Sequence, residues 1–295
     1  MEEIGIIGLG KMGMGMSRRF LKHNVRVVGF NRSKDKVSEL IRNKGIGAFS
    51  IDELVSKLKT KRKIIWLMLP TGKPTEEMIK LLLKKLNGGD IIIDGANGFY
   101  KDAEKNAKLC NSKGIIFFDI GVSSGIYGEN KGYSLMIGGP KQYFKEIEPL
   151  CKLLAPEKGY GYFGENGSGH YVKSVHNIIE YVYLEGIAEG VELLDKKKID
   201  LIKATEVWKN GSVIDSFLMD LTNKALKRKD FNKISSQIGS VTINELVETV
   251  RDSKGFSPAF NSSVKVRKDK SSKFLLGKKT IAAVRNEFGG HEVKK

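Results

Sequence analysis

Cysteine is nearly absent from these 295 residues: Cys110 and Cys151 lie far apart in the chain. Two thiols without a metal-ligand spacing provide neither a disulfide framework nor a metal motif, so the chain reads as a reduced, cytoplasmic protein. Long hydrophobic runs are missing too. The most apolar stretch, Ile64 to Leu69, is far short of the roughly 20 residues that span a bilayer, so no transmembrane segment or membrane partner is expected. The start, Met1-Glu2-Glu3-Ile4, is acidic and has neither the basic region nor the long apolar region of a signal peptide. Acidic residues are outnumbered, 34 against 51 Lys plus Arg, which gives a formal charge of +17. Such a surplus suits nucleic acid, anionic membranes or acidic metabolites. It is spread over both halves, with 28 basic against 18 acidic residues up to position 165 and 23 against 16 beyond it. A dedicated polybasic segment is therefore excluded, and no nucleic-acid motif accompanies the charge.

A composition of 40% hydrophobic residues is enough to bury a core, and the length suits about two domains at roughly 150 residues each. The first half alternates apolar runs with helix-like segments: Ile4 to Ile7, Arg26 to Phe30, Ile64 to Leu69, Ile91 to Asp94 and Ile115 to Asp119. This alternation predicts an α/β domain with a mainly parallel, doubly wound sheet of Rossmann type. The texture changes after Gly164-Glu165-Asn166-Gly167-Ser168-Gly169. From His170 onward the periodicity is helical and Pro258 is the one proline. The domains read as 1–165, binding a dinucleotide, and 166–295, all helical. Lys265 to Lys279, basic and rich in serine, reads as a mobile loop.

Gly8-Leu9-Gly10-Lys11-Met12-Gly13 directly follows the first expected strand and opens a helix-like segment. Glycines in this context allow a tight turn and close approach of a pyrophosphate, whose charge the helix start binds. Gly8, Gly10, Met12 and Gly13 are thus candidate cofactor residues. At the end of the second strand, where an NAD enzyme usually carries an acidic residue, stand Asn31-Arg32-Ser33-Lys34. Arg32 can pair with a 2′-phosphate, Ser33 can donate a hydroxyl, and Lys34 adds charge, so NADP is expected rather than NAD.

In a helix, Lys173, His176, Asn177 and Glu180 fall at i, i+3, i+4 and i+7 and share one face. That face can carry a base, an acid and two hydrogen-bonding groups. It can equally be a solvated polar stripe opposite Val172, Val175, Ile178 and Ile179, and spacing alone does not choose.

The glycine loop, Asp94-Gly95-Ala96-Asn97, Gly121-Val122-Ser123-Ser124-Gly125, the Lys-x-x-His-Asn-x-x-Glu-Tyr helix and the terminal Arg285-Asn286-Glu287-Phe288-Gly289-Gly290-His291 together resemble the decarboxylating 6-phosphogluconate dehydrogenases, short form, within the β-hydroxyacid dehydrogenase superfamily. The Lys-x-x-x-Asn pair is shared with the wider superfamily. His176, Glu180, Tyr181 and the Phe-Gly-Gly-His end point to the phosphogluconate branch. The resemblance implies oxidation of 6-phosphogluconate to ribulose 5-phosphate and CO₂ with NADP, in the pentose phosphate pathway and without a metal. It implies that Lys173 is the base, that Glu180 protonates C1, and that His176 and Asn177 position the substrate. It assigns Asn97, Ser123 and Gly125 to substrate contact, Asn97 also to the cofactor, and Tyr181, Arg267, Arg285 and His291 to the phosphate end. The last two come from a neighbouring subunit, which implies at least a dimer with a shared site.

The chain departs from the family pattern at Ser124, usually glycine, at Asp215, usually arginine, and through Ser236 to Thr242. Two other functions therefore stand beside the first: a non-decarboxylating β-hydroxyacid dehydrogenase acting on another small anionic hydroxy acid, and a catalytically silent dinucleotide-binding protein.

Overall fold

The computed structural model describes residues 2–239, 242–269, 271 and 273–290. The chain divides into two compact units, 1–174 and 175–295, later than the 165 expected from the change in texture.

The first unit alternates β1 (Glu3–Ile7), α1 (Lys11–Lys22), β2 (Arg26–Phe30), α2 (Lys34–Arg42), β3 (Ile46–Ala48), α3 (Ile51–Lys57), β4 (Ile64–Leu67), α4 (Lys73–Leu82), β5 (Ile91–Asp94), α5 (Tyr100–Asn111) and β6 (Ile116–Ser123). It continues through α6 (Gly128–Lys131), β7 (Ser134–Gly138), α7 (Phe144–Leu154) and β8 (Tyr160–Gly164). The sheet order is β3-β2-β1-β4-β5-β6-β7-β8. All neighbouring pairs are parallel except β6 with β7. The order reverses direction between β1 and β4, and a crevice opens at such a point because the connections on its two sides run to opposite faces.

Both faces of the sheet are covered, which explains why its strands read as unbroken apolar runs rather than alternating ones. Successive residues still point to opposite faces. Ile6, Ile91, Ile93 and Phe118 join one buried cluster with Phe20 of α1 and Leu150 of α7. Ile7, Ile92 and Phe117 join another with Leu54 of α3, Leu82 of α4 and Ala103 of α5. Each such side chain contributes roughly 1.5–3 kcal/mol by leaving water. Both cysteines are free and buried, and burial pushes the Cys110 thiol up to about 12, so neither suits nucleophilic chemistry.

α8 (Ser168–Lys196) begins in the first unit and runs on into the second. The second unit continues with α9 (Leu201–Trp208), α10 (Phe217–Leu226), α11 (Ile243–Asp252), α12 (Pro258–Lys268) and α13 (Leu275–Gly289). Asp200 caps α9 by accepting from the Lys203 amide, and Ser216 caps α10 by accepting from that of Met219. Buried Asn223 of α10 donates to Ile202 O and Thr205 Oγ1 of α9. Tyr181, Ile243, Leu246, Phe260 and Val264 form an apolar core for α8, α11 and α12. The loop expected over 265–279 is largely helical, since α12 runs to Lys268 and α13 opens at Leu275. Composition misled there because Lys278 is buried and its ammonium donates to Asp269 O, Asp269 Oδ2 and Ser271 O. No helix among the described residues is long and apolar enough to cross a membrane.

Candidate active site

The β1–α1 turn needs its glycines for different reasons. Gly8 has φ +99°, and a Cβ there would lie 2.3 Å from Met68 O; a Cβ on Gly13 would lie 1.9 Å from Gly8 O. Both therefore serve the packing of the turn itself. A Cβ on Gly10 would meet nothing within 4 Å, so this glycine faces open space. Gly10 is also the N-cap of α1, with no side-chain cap and no acidic residue in the first turn to compete for the helix-start N–H groups. Met12 is half-buried against the sheet core. The Leu9 amide donates to Asn31 Oδ1 at 3.0 Å, tying the end of β2 to the glycine turn. Arg32, Ser33 and Lys34 are exposed at the start of α2, and the Ser33 hydroxyl makes no capping bond. An open cradle, an uncompeted helix start and exposed cationic and hydroxyl groups beside it fit a phosphate-bearing dinucleotide.

The start of α8 is fixed by a residue that the sequence pattern did not single out. Fully buried Asp119, in β6, accepts from the Gly167 amide through Oδ1 at 2.7 Å and from the His170 amide through Oδ2 at 2.9 Å. It caps the helix from across the sheet. Three glycines make the approach possible. A Cβ on Gly169 would stand 2.3 Å from Asp119 O, one on Gly138 2.6 Å from Gly169 N, and one on Gly121 2.4 Å from Lys173 Cβ. These contacts bind the first turns of the helix to the sheet, which is why the division of the chain comes at Ser174. His170 Nε2 lies 3.2 Å from Asp94 O, and burial holds the Asp94 carboxyl above the usual carboxylate range. Asn97, three residues on, is exposed. Ser123 is half-buried, Ser124 carries φ +102°, and Gly125 carries φ +54°.

Lys173, His176, Asn177 and Glu180 all lie in α8, on successive turns as the spacing predicts. Lys173 and Asn177 are 8% and 7% exposed, whereas Ile179, expected on the buried side, is 61% exposed. A solvated polar stripe would show the reverse. His176 Nδ1 lies 3.1 Å from Asn177 Oδ1, an amide oxygen that only accepts, so a hydrogen bond there requires the tautomer protonated on Nδ1. In the second unit, Tyr181 is buried and the Arg267 guanidinium stands 3.6 Å from its ring centroid. Arg285 donates to Gly239 O, and its charge, with burial, depresses the Arg267 pKa to about 10, burial being the larger cause. Tyr181, Arg267 and Arg285 of one chain thus form one neighbourhood, whereas the resemblance takes Arg285 from a neighbouring subunit. His291 lies outside the described residues. Among the described residues, no group of His, Cys, Asp and Glu could hold a metal ion.

Residues 3–164 match the family model described as the NAD binding domain of 6-phosphogluconate dehydrogenase, and residues 169–264 match that of the 6-phosphogluconate dehydrogenase C-terminal domain. The chain belongs to the 6-phosphogluconate dehydrogenase family. A Bacillus subtilis (strain 168) protein that provisionally bears that enzyme's name is 36% identical over 99% of this chain and 99% of its own. The NAD(+)-dependent, decarboxylating 6-phosphogluconate dehydrogenase of Haloferax volcanii is 31% identical over 99% of this chain and 98% of its own. The Plasmodium falciparum 6-phosphogluconate dehydrogenase, solved in apo form, with NADP+ and with 6-phosphogluconate, matches 90% of this chain and 61% of its own, with a TM-score of 0.81 at 28% identity. As a member of this 6-phosphogluconate dehydrogenase family, the chain carries a Rossmann NAD(P)-binding domain followed by a helical domain.

Proposed function

We propose that the protein oxidises and decarboxylates 6-phosphogluconate to ribulose 5-phosphate and CO₂, using NADP. The observation that carries this reading is the buried Lys173–Asn177 stripe of α8, a polar face withdrawn from water while an apolar side chain of the same helix is exposed. NADP, when bound, supplies the acceptor for the hydride that leaves C3 of the substrate. In this reading Gly10 and the start of α1 hold the pyrophosphate, Asn31 keeps the glycine turn in place, and Arg32, Ser33 and Lys34 receive the 2′-phosphate. The relatives differ on the last point, since one is named NAD(+)-dependent and another was solved with NADP+. The two cations at 32 and 34 favour NADP.

Lys173 takes the proton of the 3-hydroxyl, which requires a neutral amine. The 3-keto acid then loses CO₂. Its electron pair moves to the ketone oxygen, where the Lys173 ammonium stabilises the developing charge. Glu180 delivers a proton to C1 of the enediol. His176 and Asn177 hold the hydroxyl and carbonyl; Asn97, Ser123 and Gly125 contact the substrate, and Tyr181, Arg267, Arg285 and His291 hold its phosphate. Self-association to at least a dimer is part of this reading. Exposed Leu193, Ile202 and Val207 on α8 and α9 supply apolar surface for it. Sedimentation equilibrium tests this, and a monomer at micromolar concentration removes any neighbouring subunit's contribution and leaves only the Tyr181, Arg267 and Arg285 of its own chain.

The deciding experiment follows ¹⁴CO₂ release from 1-labelled 6-phosphogluconate together with NADPH formation, with short hydroxy acids as competitors. Equal yields of both products are expected. NADPH without CO₂ would mean a non-decarboxylating β-hydroxyacid dehydrogenase, and cofactor binding without turnover would mean a silent dinucleotide-binding protein.

A further inference from the structure

Two opposite charges are buried in the second unit without hydrogen-bond partners among the described residues. Glu185, on α8 one turn past Tyr181, is 6% exposed, and neither carboxylate oxygen has a hydrogen-bond partner among the described residues. Arg267 of α12 is 9% exposed, and none of its three guanidinium nitrogens has a hydrogen-bond partner among the described residues. Its only described contact of note is the face of the Tyr181 ring. A buried guanidinium usually fills its fork with a carboxylate or with ligand oxygens. Here the carboxylate is near enough for the two charges to act on each other, yet it does not occupy the fork.

Glu185 is faced by Glu189 from its own helix, by Arg267 from α12 and by Lys278 from α13. The Lys278 ammonium acts on it only through space, because its described hydrogen bonds go to Asp269 and Ser271. Arg267 is faced by Tyr181 and Glu180 from α8 and by Arg285 from α13. The charge available to an incoming anion at Arg267 therefore changes with whether Glu185 carries its proton. Desolvation raises the Glu185 pKa to about 7, with Glu189 adding to it and Arg267 and Lys278 opposing, so both forms are populated near neutrality.

We propose that Glu185 couples an anion subsite built on Arg267 to proton uptake: protonated, it leaves the guanidinium charge free for an anionic group of the substrate, and ionised, it competes for that charge. Binding of the anion then draws a proton onto Glu185. The inference rests on the reading of an anionic substrate held at Tyr181, Arg267 and Arg285, and assigns to that site a proton linkage which the ligand set alone lacks. Raising the pH through neutrality weakens anion binding while leaving the Lys173 chemistry at saturation on its own pH profile.

The test compares the full-length wild type with Glu185→Gln, which keeps the shape and the neutral charge of the protonated carboxyl. Sulfate is the first probe, since it carries no proton of its own near pH 7. Calorimetric titration at pH 7.5 in two buffers of different ionisation enthalpy reads proton uptake directly. Uptake of a fraction of a proton is expected for the wild type and none for Glu185→Gln. With 6-phosphogluconate, the wild-type to variant ratio of KM should rise by about tenfold per pH unit above 7 and approach one below pH 6, with the ratio of kcat flat. Thermal melting checks that the variant folds. The folded state keeps the Glu185 proton up to about pH 7 whereas the unfolded chain releases it near the ordinary 4.5, so wild-type stability falls across that window and the variant's does not follow. Equal proton uptake in the two proteins, absence of sulfate binding to the wild type, or parallel KM profiles overturns the proposal. If turnover stands while these fail, the dehydrogenase reading survives without Glu185. If sulfate-linked uptake appears without turnover, the subsite survives and the dehydrogenase reading falls.

Discussion

Lys173 is a long cationic side chain held at 8% exposure, and its Cβ lies against the position where Gly121 lacks one. Replacing it with methionine keeps the volume and removes the amine. Lys173→Met should still bind NADP, read by fluorescence titration, and lose at least about a hundredfold in NADPH formation, the lower range for a general base. Near-normal turnover would remove Lys173 from its role. Arg32 is exposed, so its loss costs little stability. Arg32→Ala should raise KM for NADP far more than for NAD, and an equal rise for both would place 2′-phosphate recognition elsewhere. Ser124 illustrates strain rather than chemistry. Its φ of +102° is a conformation that side chains rarely adopt, at a cost of roughly 1–2 kcal/mol. Ser124→Gly relieves that strain but gives some of the gain back as entropy of the unfolded chain. It should raise stability by up to about 1 kcal/mol, measured by urea unfolding.

Among the elements, α8 depends most on residues distant in sequence. Asp119→Asn replaces one of two acceptor oxygens with an NH₂ group facing a backbone N–H, leaving a buried donor unpaired at a cost of roughly 1–3 kcal/mol. The start of α8 loosens with it, so kcat should fall although Asp119 touches no substrate, while NADP affinity at the β1–α1 turn should hold. A variant that loses stability with unchanged kcat would make the cap purely structural. The cap also marks where legibility in the sequence stops. Strands β1, β2, β4, β5 and β6 were readable because β-branched runs buried on both faces leave a dense apolar signature. β3 is three residues long, and β7 and β8 lie in segments whose glycines imitate turns. The polar face of α8 was visible as a spacing, but its burial was not, since a helical period reads the same whether its polar side faces water or protein. Asp119 and the Glu185–Arg267 neighbourhood could not be read because each joins residues that only the fold brings together.

For the whole molecule, the +17 charge is spread along the chain, and few of its lysines have an assigned ligand. Its effect on a polyanionic substrate and cofactor is a long-range field rather than a set of contacts. KM for both should rise as ionic strength increases from 0.01 to 0.3 M, across which the screening length shrinks from about 30 Å to below 10 Å. kcat at saturation should stay level. A KM indifferent to salt would mean that the local phosphate contacts carry all of the attraction.

The division of the chain inside α8 has a consequence for how such a protein can be taken apart or recombined. A helix has no loop at which to cut, and severing this one between Ser174 and Val175 would leave Lys173 on one fragment and His176, Asn177 and Glu180 on the other. The dinucleotide fold is therefore not a detachable cassette: an exchange at the structural boundary would separate the proposed base from its proposed acid. Only a graft that carries α8 whole, with Asp119 and the glycines that admit it, transfers the candidate chemistry as one inheritance.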